Sequence, residues 1–476
     1  MWTLSSSSNK PLYQQLIHLI QQAIINGTLG PGERLPSERQ LSHLLNINRS
    51  TVIRALNELT DRKLLIRKIG SGSYVNPLKH EINLYPSMNW YPIKSVYTQY
   101  QRDPYQIHIQ ELRKKAQEKH INLIDMATGD LAPSLLPKID PTDLPWQHVL
   151  SLEQDDETTL LGLYSFRQAV QYHMKKRIGI SVDLSEILIT TGTQQALFLL
   201  TQTLLGPGDH IAVETPSSFF RLPIFQASGL RVHPAALDQN GVNPEILQKL
   251  IRKHPVKMIF LNPVFQNPTG SILSSFRKKE ILRLCHDNQI PLIEDDAYSL
   301  LSFDENTDCR SIKMYDKYKQ VIYLGSLSKY IGKAIRVGWI IAPRPIIHQL
   351  ANVRRQIEGG ISVLPQLLAQ YYLTHQMDNH FNFLQKKLSK KAKNLCHWLD
   401  QNYQSLFQIQ PPKGGLYLYS KCPPDKNKEL SILLQEWLKQ KIIIAKGEEF
   451  GGSQGEIRFN FSHFSSKTIK RLKNSL

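Results

Sequence analysis

The sequence predicts an α/β chain in two parts: a small helical module closed by a hairpin, then a large domain on a mainly parallel sheet with a smaller C-terminal subdomain. Three observations predict it. Apolar residues recur at helical spacing from Leu12 to Leu59, short apolar strands alternate with helices from Ile121 onward, and glycine and proline punctuate both patterns. With 476 residues, 41% of them hydrophobic and 21% charged, the chain can bury a large core and divide into domains.

The first element is an amphipathic helix in which Leu12, Leu16, Leu19, Ile20, Ala23 and Ile24 face inward, ending at Asn26–Gly27. Pro36 and Ser37 open a second helix, with Ser37 and Gln40 in the capping-box relation and Leu41, Leu44 and Leu45 as its inner face. Asn46 marks a tight turn. A third helix starts near Asn48 and buries Val52, Ala55, Leu56 and Leu59, leaving Arg49, Ser50, Thr51 and Arg54 on its outer, amino-terminal half. Leu64–Ile66 and Ser73–Val75 then read as two strands around Gly70–Ser71–Gly72. This is a winged helix-turn-helix, in which the third helix can enter a DNA major groove while arginines and backbone N–H groups hold phosphates.

The charge agrees with an anionic partner. Lys plus Arg is 58 against 40 Asp plus Glu, a formal +18, of which residues 1–77 carry nine basic against four acidic residues. No apolar run approaches the roughly 18 residues of a membrane helix, and Met1–Lys10 lacks the apolar stretch of a secretory signal, so a cytoplasmic protein is expected. Cys285, Cys309, Cys396 and Cys422 are too dispersed for a disulfide scaffold or a close Cys/His metal pattern, and no metal is expected. The domain expectation is 1–77 for the winged helix, 78–118 for a linker and 119–476 for the large domain. The charged run Glu111–Lys119 reads as a solvated helix in that linker.

In the large domain the expected strands are Ile187–Thr190, His210–Val213, Met258–Asn262, Pro291–Glu294 and Val321–Leu324. Ligands of such sheets bind beyond the carboxyl ends of the strands, so the residues just after them are the candidates. Thr191-Gly192-Thr193-Gln194 is a glycine turn opening a helix, whose free N–H groups suit a phosphate. Asn262 to Gly270 is a rigid loop that presents Asn267. Glu294-Asp295-Asp296-Ala297-Tyr298 crowds carboxylates at a strand end, which is costly unless a protonated ring or a magnesium ion offsets them. Gly325-Ser326-Leu327-Ser328-Lys329, with Arg336 seven positions on, sets an amine among hydroxyls and a cation. Together these are the parts that pyridoxal phosphate chemistry requires.

Pro11 to Val75, through Pro-Gly-Glu-Arg-Leu-Pro-Ser-Glu-Arg-Gln-Leu and Asn-Arg-Ser-Thr-Val, closely resembles the DNA-binding domain of the GntR superfamily of bacterial regulators. That resemblance implies DNA contacts by Arg39, Asn48, Arg49, Thr51 and Gly70. From about Ile121 onward the chain resembles the fold-type I aminotransferases. It thereby implies Lys329 as the Schiff-base lysine, Asp295 as partner of the pyridinium nitrogen, and Asn267 and Tyr298 near the ring hydroxyl. Gly192, Thr193, Gln194, Ser326, Ser328 and Arg336 fall to the phosphate end. Glu456-Ile457-Arg458-Phe459-Asn460-Phe461 resembles the family segment whose arginine clamps an amino-acid carboxylate, with Gly129 nearby.

The fusion resembles the MocR subgroup of GntR regulators. This implies a homodimeric transcription regulator that binds promoter DNA and pyridoxal 5'-phosphate and senses an amino compound, with Arg458 holding the effector's carboxylate. Residual transaminase activity is compatible with that reading. The competing reading, a working aminotransferase with an accessory module, would leave Arg39, Arg49 and the wing without a task. Three departures from the aminotransferase pattern are expected to matter. Ser218 stands where a tyrosine commonly stacks on the ring, leaving Phe219 and Phe220 as candidates to substitute; Glu157 lies near the position of a phosphate-reaching tyrosine; and Lys333 and Lys446 replace prolines.

Overall fold

A computed structural model of the chain describes residues 11–25, 29, 32–62, 64–68, 71–76, 104–140 and 160–473. They fall into two compact units, within 1–99 and 100–476. Among the described residues no helix is long and apolar enough to cross a membrane.

The small unit contains α1 (Leu12–Ile25), α2 (Glu38–Leu45), α3 (Arg49–Asp61) and an antiparallel hairpin of β1 (Leu65–Lys68) and β2 (Gly72–Val75). Ser37 and Gln40 cap α2 reciprocally: the Gln40 side chain accepts from Ser37 N–H at 2.8 Å, and Ser37 Oγ accepts from Gln40 N–H at 3.3 Å. Asn46 turns the chain in the left-handed region, φ 50°. Leu16, Ile20, Leu41, Val52, Ala55, Leu56 and Leu59 meet in one core. Three expected core residues do not join it: Leu19 is half-buried outside the cluster, and Leu12 is 47% and Leu44 65% exposed. On the short α2, Leu41 and Leu45 share the inward stripe one turn apart, and Leu44 is rotated off it; on α1, Ile17 takes the inward place.

In the large unit eight strands form the main sheet in the order β4-β11-β10-β9-β8-β5-β6-β7. A two-residue β3 (Ile124–Asp125) lies outside it. The sheet strands are β4 (Ile187–Thr190), β5 (His210–Thr215), β6 (Arg231–Asp238), β7 (Gly241–Val242), β8 (Val256–Leu261), β9 (Leu292–Asp296), β10 (Val321–Ser326) and β11 (Gly338–Ile341). Pairing from β6 through β5, β8 and β9 to β10 is parallel, and β11 runs antiparallel between β10 and β4. One face packs Leu188, Val213, Phe260, Ile322 and Ile340 against helices Thr193–Leu204 and Arg344–Ile357. The other packs Ala212, Ile259, Leu292 and Val321 against Pro244–Lys253 and Ser275–Asp287. Both faces being covered explains why these strands read as nearly continuous apolar runs.

The smaller subdomain is a four-stranded sheet in the order β12-β13-β16-β15. It comprises β12 (Gln408–Ile409), β13 (Tyr417–Lys421), β15 (Ala445–Lys446) and β16 (Glu456–Asn460), with β14 (Ile442–Ile443) paired to β3. Helix Pro104–Glu118, α4, belongs to the large unit: Ile109 is buried with Ala127, Ile443 and Phe450, and Arg113 Nε donates to Asp125 Oδ2 at 2.6 Å. The linker before residue 104 lies outside the described residues.

Candidate functional site

Strands β4, β5, β8, β9 and β10 end at one edge of the sheet, and the sequence-singled residues gather there. Lys329, just past β10, donates from Nζ to Gly129 O at 2.7 Å and lies 3.7 Å from Asp130 Oδ1. Gly129 has no side chain to intrude; a Cβ there would sit 3.6 Å from the amine. Asp130 is held also by Lys333 at 3.0 Å and by Thr128 Oγ1 at 3.1 Å. Burial pushes the Asp130 carboxyl up, but Lys329 and Lys333 outweigh it and leave it below its ordinary range. Lys333, one of the departures, therefore anchors the acid that faces Lys329.

Three consecutive carboxylates end β9, and the two-residue period of a strand separates them. Glu294 receives Ser311 Oγ at 2.7 Å and the N–H groups of Ile312 and Lys313 at 2.8 and 2.9 Å. Asp296 receives Ser299 Oγ and Tyr323 Oη, each at 2.8 Å. Asp295 points to the opposite face, and its Oδ1 is enclosed without a hydrogen-bond partner among the described residues. Burial, then repulsion from Asp296, raises its pKa to about 7 against the opposing pull of Lys329. Because the outer two acids have their own donors, the three do not converge on one ion, which argues against the magnesium reading.

Asn267 and Tyr298 lie beside this acid. Asn267 Nδ2 faces Tyr298 Oη at 3.4 Å, and Asn267 Oδ1 accepts from Arg458 Nη1 at 2.8 Å. Arg458, 1% exposed, also donates from Nη2 to Ala127 O at 2.6 Å and lies between the Tyr417 and Phe450 rings, 4.3 and 4.6 Å from their centroids. Its Nε is buried without a partner among the described residues. At the other end, Gly192 (φ +94°) precedes helix Thr193–Leu204, and a Cβ on it would sit 3.5 Å from Arg336 Nη2. Arg336 Nη2 reaches Gln194 Oε1 at 3.5 Å, and Ser326 Oγ accepts from Ser328 N–H at 3.2 Å. A helix N-terminus, nearby hydroxyls and an exposed guanidinium are groups that could hold a dianion.

Two residues here escaped the sequence reading. Tyr417 Oη meets Tyr298 Oη at 3.0 Å and Gly129 O at 2.9 Å, joining the subdomain to the pocket. Glu214 ties the loops after β5 and β8 by accepting from Gln266 Nε2 at 3.0 Å and Asn262 N–H at 3.1 Å, and burial raises its pKa to about 8. Of the two expected stacking aromatics, Phe219 is committed to the core, packed on Phe225 and Phe260, so the chain sends it away from the pocket. Phe220 is half-buried near Gly451. Glu157 lies outside the described residues.

In the small unit, Arg39 and Arg49 are exposed, and Thr51, in the first turn of α3, is half-buried. Arg49 Nη2 pairs with Glu38 Oε2 at 3.1 Å, and Arg67 from β1 takes the other oxygen at 3.2 Å. Arg67 was missed because a strand arginine carries no local signal. Asn48 caps α3, its Oδ1 accepting Ser50 N–H at 3.0 Å, so only its amide nitrogen is free of that task. Gly70 lies outside the described residues.

Comparison with known proteins fits this geometry. Residues 12–75 match the model of bacterial regulatory proteins of the gntR family, and residues 157–476 that of aminotransferase class I and II. The HTH-type transcriptional regulator YisV of Bacillus subtilis (strain 168) is 31% identical over 98% of this chain and 95% of its own length. NorG of Staphylococcus aureus (strain USA300), named as an HTH-type transcriptional regulator, is 31% identical over 92% and 97%. The chain belongs to the MocR-type GntR regulators. Among solved structures, an archaeal alanine:glyoxylate aminotransferase superposes with a TM-score of 0.72 at 23% identity, covering 81% of this chain and 98% of that one. The kynurenine aminotransferase of Pyrococcus horikoshii gives 0.68 at 24%, covering 81% and 96%. These likenesses establish the fold-type I architecture. The cofactor of this MocR-type domain is pyridoxal 5'-phosphate, and the residues present fit it: the orphaned Asp295 oxygen lacks the cationic donor that a pyridinium nitrogen provides, and Gly192, at φ +94°, opens the helix beside Arg336 in a backbone conformation that residues with side chains rarely adopt.

Proposed function

We propose that this regulator, working in the cytoplasm as a homodimer on promoter DNA, changes its grip on an operator when an amino acid or related amino compound enters the pyridoxal phosphate pocket. The buried Asp295 Oδ1, without a hydrogen-bond partner among the described residues and near Lys329 at the sheet edge, carries the reading. When bound, the cofactor supplies an aldehyde for a primary amine and a ring that withdraws electrons from the attached carbon. Lys329 provides the resident amine, and Asp130 with Gly129 O keeps Nζ oriented. Asp295 is the partner for the ring nitrogen, Asn267 and Tyr298 for the ring hydroxyl. Gly192, Thr193, Gln194, Ser326, Ser328 and Arg336 hold the phosphate.

Arg458 is proposed to take the effector's carboxylate through hydrogen bonds now spent on Asn267 and Ala127. Residues 127–130 are thus held by Arg458, which the effector's carboxylate would claim, and by Lys329, which its amine would replace on the cofactor. That segment continues back through Asp125, which Arg113 fastens to α4, the helix that follows the linker. An effector that claims Arg458 and releases Lys329 would change what holds residues 127–130 and alter how α4 is anchored. Arg39, Arg49 and Thr51, with Asn48 and Gly70, would contact DNA, two heads spanning half-sites about 34–36 Å apart.

The test is direct. Purified protein given pyridoxal phosphate is expected to keep a yellow colour through gel filtration, and Lys329→Ala to lose it. The operator affinity of the parent should shift with an amino acid while that of Lys329→Ala should not. A variant that stays yellow, or that responds like the parent, would remove Lys329 from the mechanism.

A further inference from the structure

The opposite edge of the main sheet, where β5 and β8 begin, gathers three histidines that the pocket does not use. His210 opens β5, His233 pairs with Ala212 across β6, and His254 follows helix Pro244–Lys253 just before β8. His233 Nε2 lies 2.9 Å from His210 Nδ1, and the His233 and His254 rings stack with centroids 3.9 Å apart. One ring nitrogen from each lies within 4.8 Å of the other two, and all three side chains are half-buried, so solvent reaches them. Among the described residues this is the one such grouping of histidine, cysteine or carboxylate side chains.

We propose that His210, His233 and His254 form a binding site for a divalent transition metal of the zinc class. Imidazole nitrogen is the ligand that zinc, copper and nickel share, whereas magnesium and calcium require oxygen ligands. Bonds of about 2.0–2.1 Å to a tetrahedral ion separate ligand nitrogens by roughly 3.3 Å. The His233–His210 nitrogens, 2.9 Å apart, lie slightly inside that value, and one nitrogen from each ring lies within 4.8 Å of the others. The unliganded arrangement is a stack, so binding requires His233 and His254 to splay about Cβ–Cγ, a torsion with broad wells. The ring that now donates in the His210–His233 hydrogen bond moves its proton to its other nitrogen by exchange with water. Three neutral rings then offer three lone pairs, and a water completes the fourth position.

The neighbouring charges narrow the choice of ion. Asp209 is engaged by Lys257 at 2.7 Å and by Gly206 N–H at 2.8 Å, and is not among the three ligands. Arg231 and Lys253 flank the site in sequence, and their positive charge disfavours any cation that does not form strong bonds to nitrogen. The expectation of no metal rested on the dispersed cysteines; His210 and His233, 23 residues apart, form no local pattern and are brought together only by sheet pairing. An ion here would tie β5, β6 and the turn before β8 at the edge remote from Lys329, so cofactor binding should be indifferent to it.

Tag-free, full-length protein stripped with a chelator and titrated calorimetrically with zinc chloride should bind one ion per chain with micromolar or tighter affinity. His233→Gln and His254→Gln should each weaken binding at least tenfold while retaining the yellow cofactor. Equal zinc binding by the parent and a folded His210→Gln/His233→Gln/His254→Gln triple variant would overturn the site, as would no uptake by the parent. Cobalt substitution reads the parent alone: intense visible bands of a four-coordinate ion are expected, and only weak six-coordinate bands would refute the proposed geometry.

Discussion

Arg458 and Arg49 are both arginines proposed to meet an anion, yet the molecule keeps them in opposite conditions. Arg458 is 1% exposed, packed between two aromatic rings and bonded to Asn267 and Ala127. The Arg49 side chain is 52% exposed and held by a single carboxylate it shares with Arg67. In the pocket, charges lie in a low-dielectric setting where an unmatched group is costly and a matched one strongly held. On the reading face, water and salt screen each contact, so binding is the sum of several small terms. The pocket should therefore respond to single substitutions by large changes, some reversing sign with its occupant, and the face by modest, salt-dependent ones.

Asp295→Asn is the strongest way to break that comparison. Without cofactor, burial holds the Asp295 pKa near 7 against the ordinary 3.8. Because the folded pKa is raised, the folded chain keeps a proton the unfolded chain has lost. Stability falls as pH rises from about 4 to about 7 and then levels off. Asparagine removes that loss, so the cofactor-free variant should be no less stable than the parent at pH 5 and more stable at pH 8. With cofactor the order reverses: the ionised carboxylate is matched by the ring nitrogen, and removing it should cost about 3–5 kcal/mol of binding. Denaturant unfolding at the two pH values, with and without cofactor, checks both signs. Equal stability and affinity throughout would mean that Asp295 does not face the ring.

How much of this was legible followed the range of the interactions. The small unit was readable nearly to the residue, down to the Ser37–Gln40 cap, because its signals lie within four positions of one another. Leu44 failed because helical spacing alone does not tell which side of a short stripe meets the core. In the large unit the strand-end lysine, acid and glycine turn were legible because a parallel sheet delivers its carboxyl ends to one edge. Strand β6 was not foreseen: Arg231, His233 and Pro234 interrupt its apolar pattern, as suits a strand near the sheet edge. Tyr417 could not be found from spacing, since its hydroxyl reaches Gly129 only through the fold of the subdomain. The segment Gly414-Gly415-Leu416-Tyr417 offered the one local hint, a glycine pair packed on Phe265.

On the reading face the larger effect is expected at Arg49 itself. If Arg49 reads a base edge, Arg49→Ala should lose roughly 1–3 kcal/mol of operator affinity and relax the preference at one base pair. If it holds a phosphate, affinity should fall on all sequences alike and the salt slope should shrink by about 1. Gel shifts on the operator and on scrambled DNA at two salt concentrations separate these outcomes. Unchanged binding on both would remove Arg49 from the face.

Glu38→Gln should give the smallest effect and the sharpest view of how exposed cations are governed. The acid accepts from Arg49 at 3.1 Å and from Arg67 at 3.2 Å, so it sets the direction of one arginine on the recognition helix and one on the hairpin. Each pair is exposed, and losing both should cost the fold no more than about 1 kcal/mol. For DNA the consequences oppose one another. Removing a negative charge beside the phosphates should raise affinity for scrambled DNA, steepening the logarithmic salt slope by up to about 1 if a freed arginine gains a phosphate. The two guanidinium groups also lose the carboxylate that aligns them, so affinity for the operator should rise less, and the ratio of operator to scrambled binding should fall. If that ratio holds while both affinities rise equally, Glu38 merely tempers charge, and the register of Arg49 is set by α3 alone.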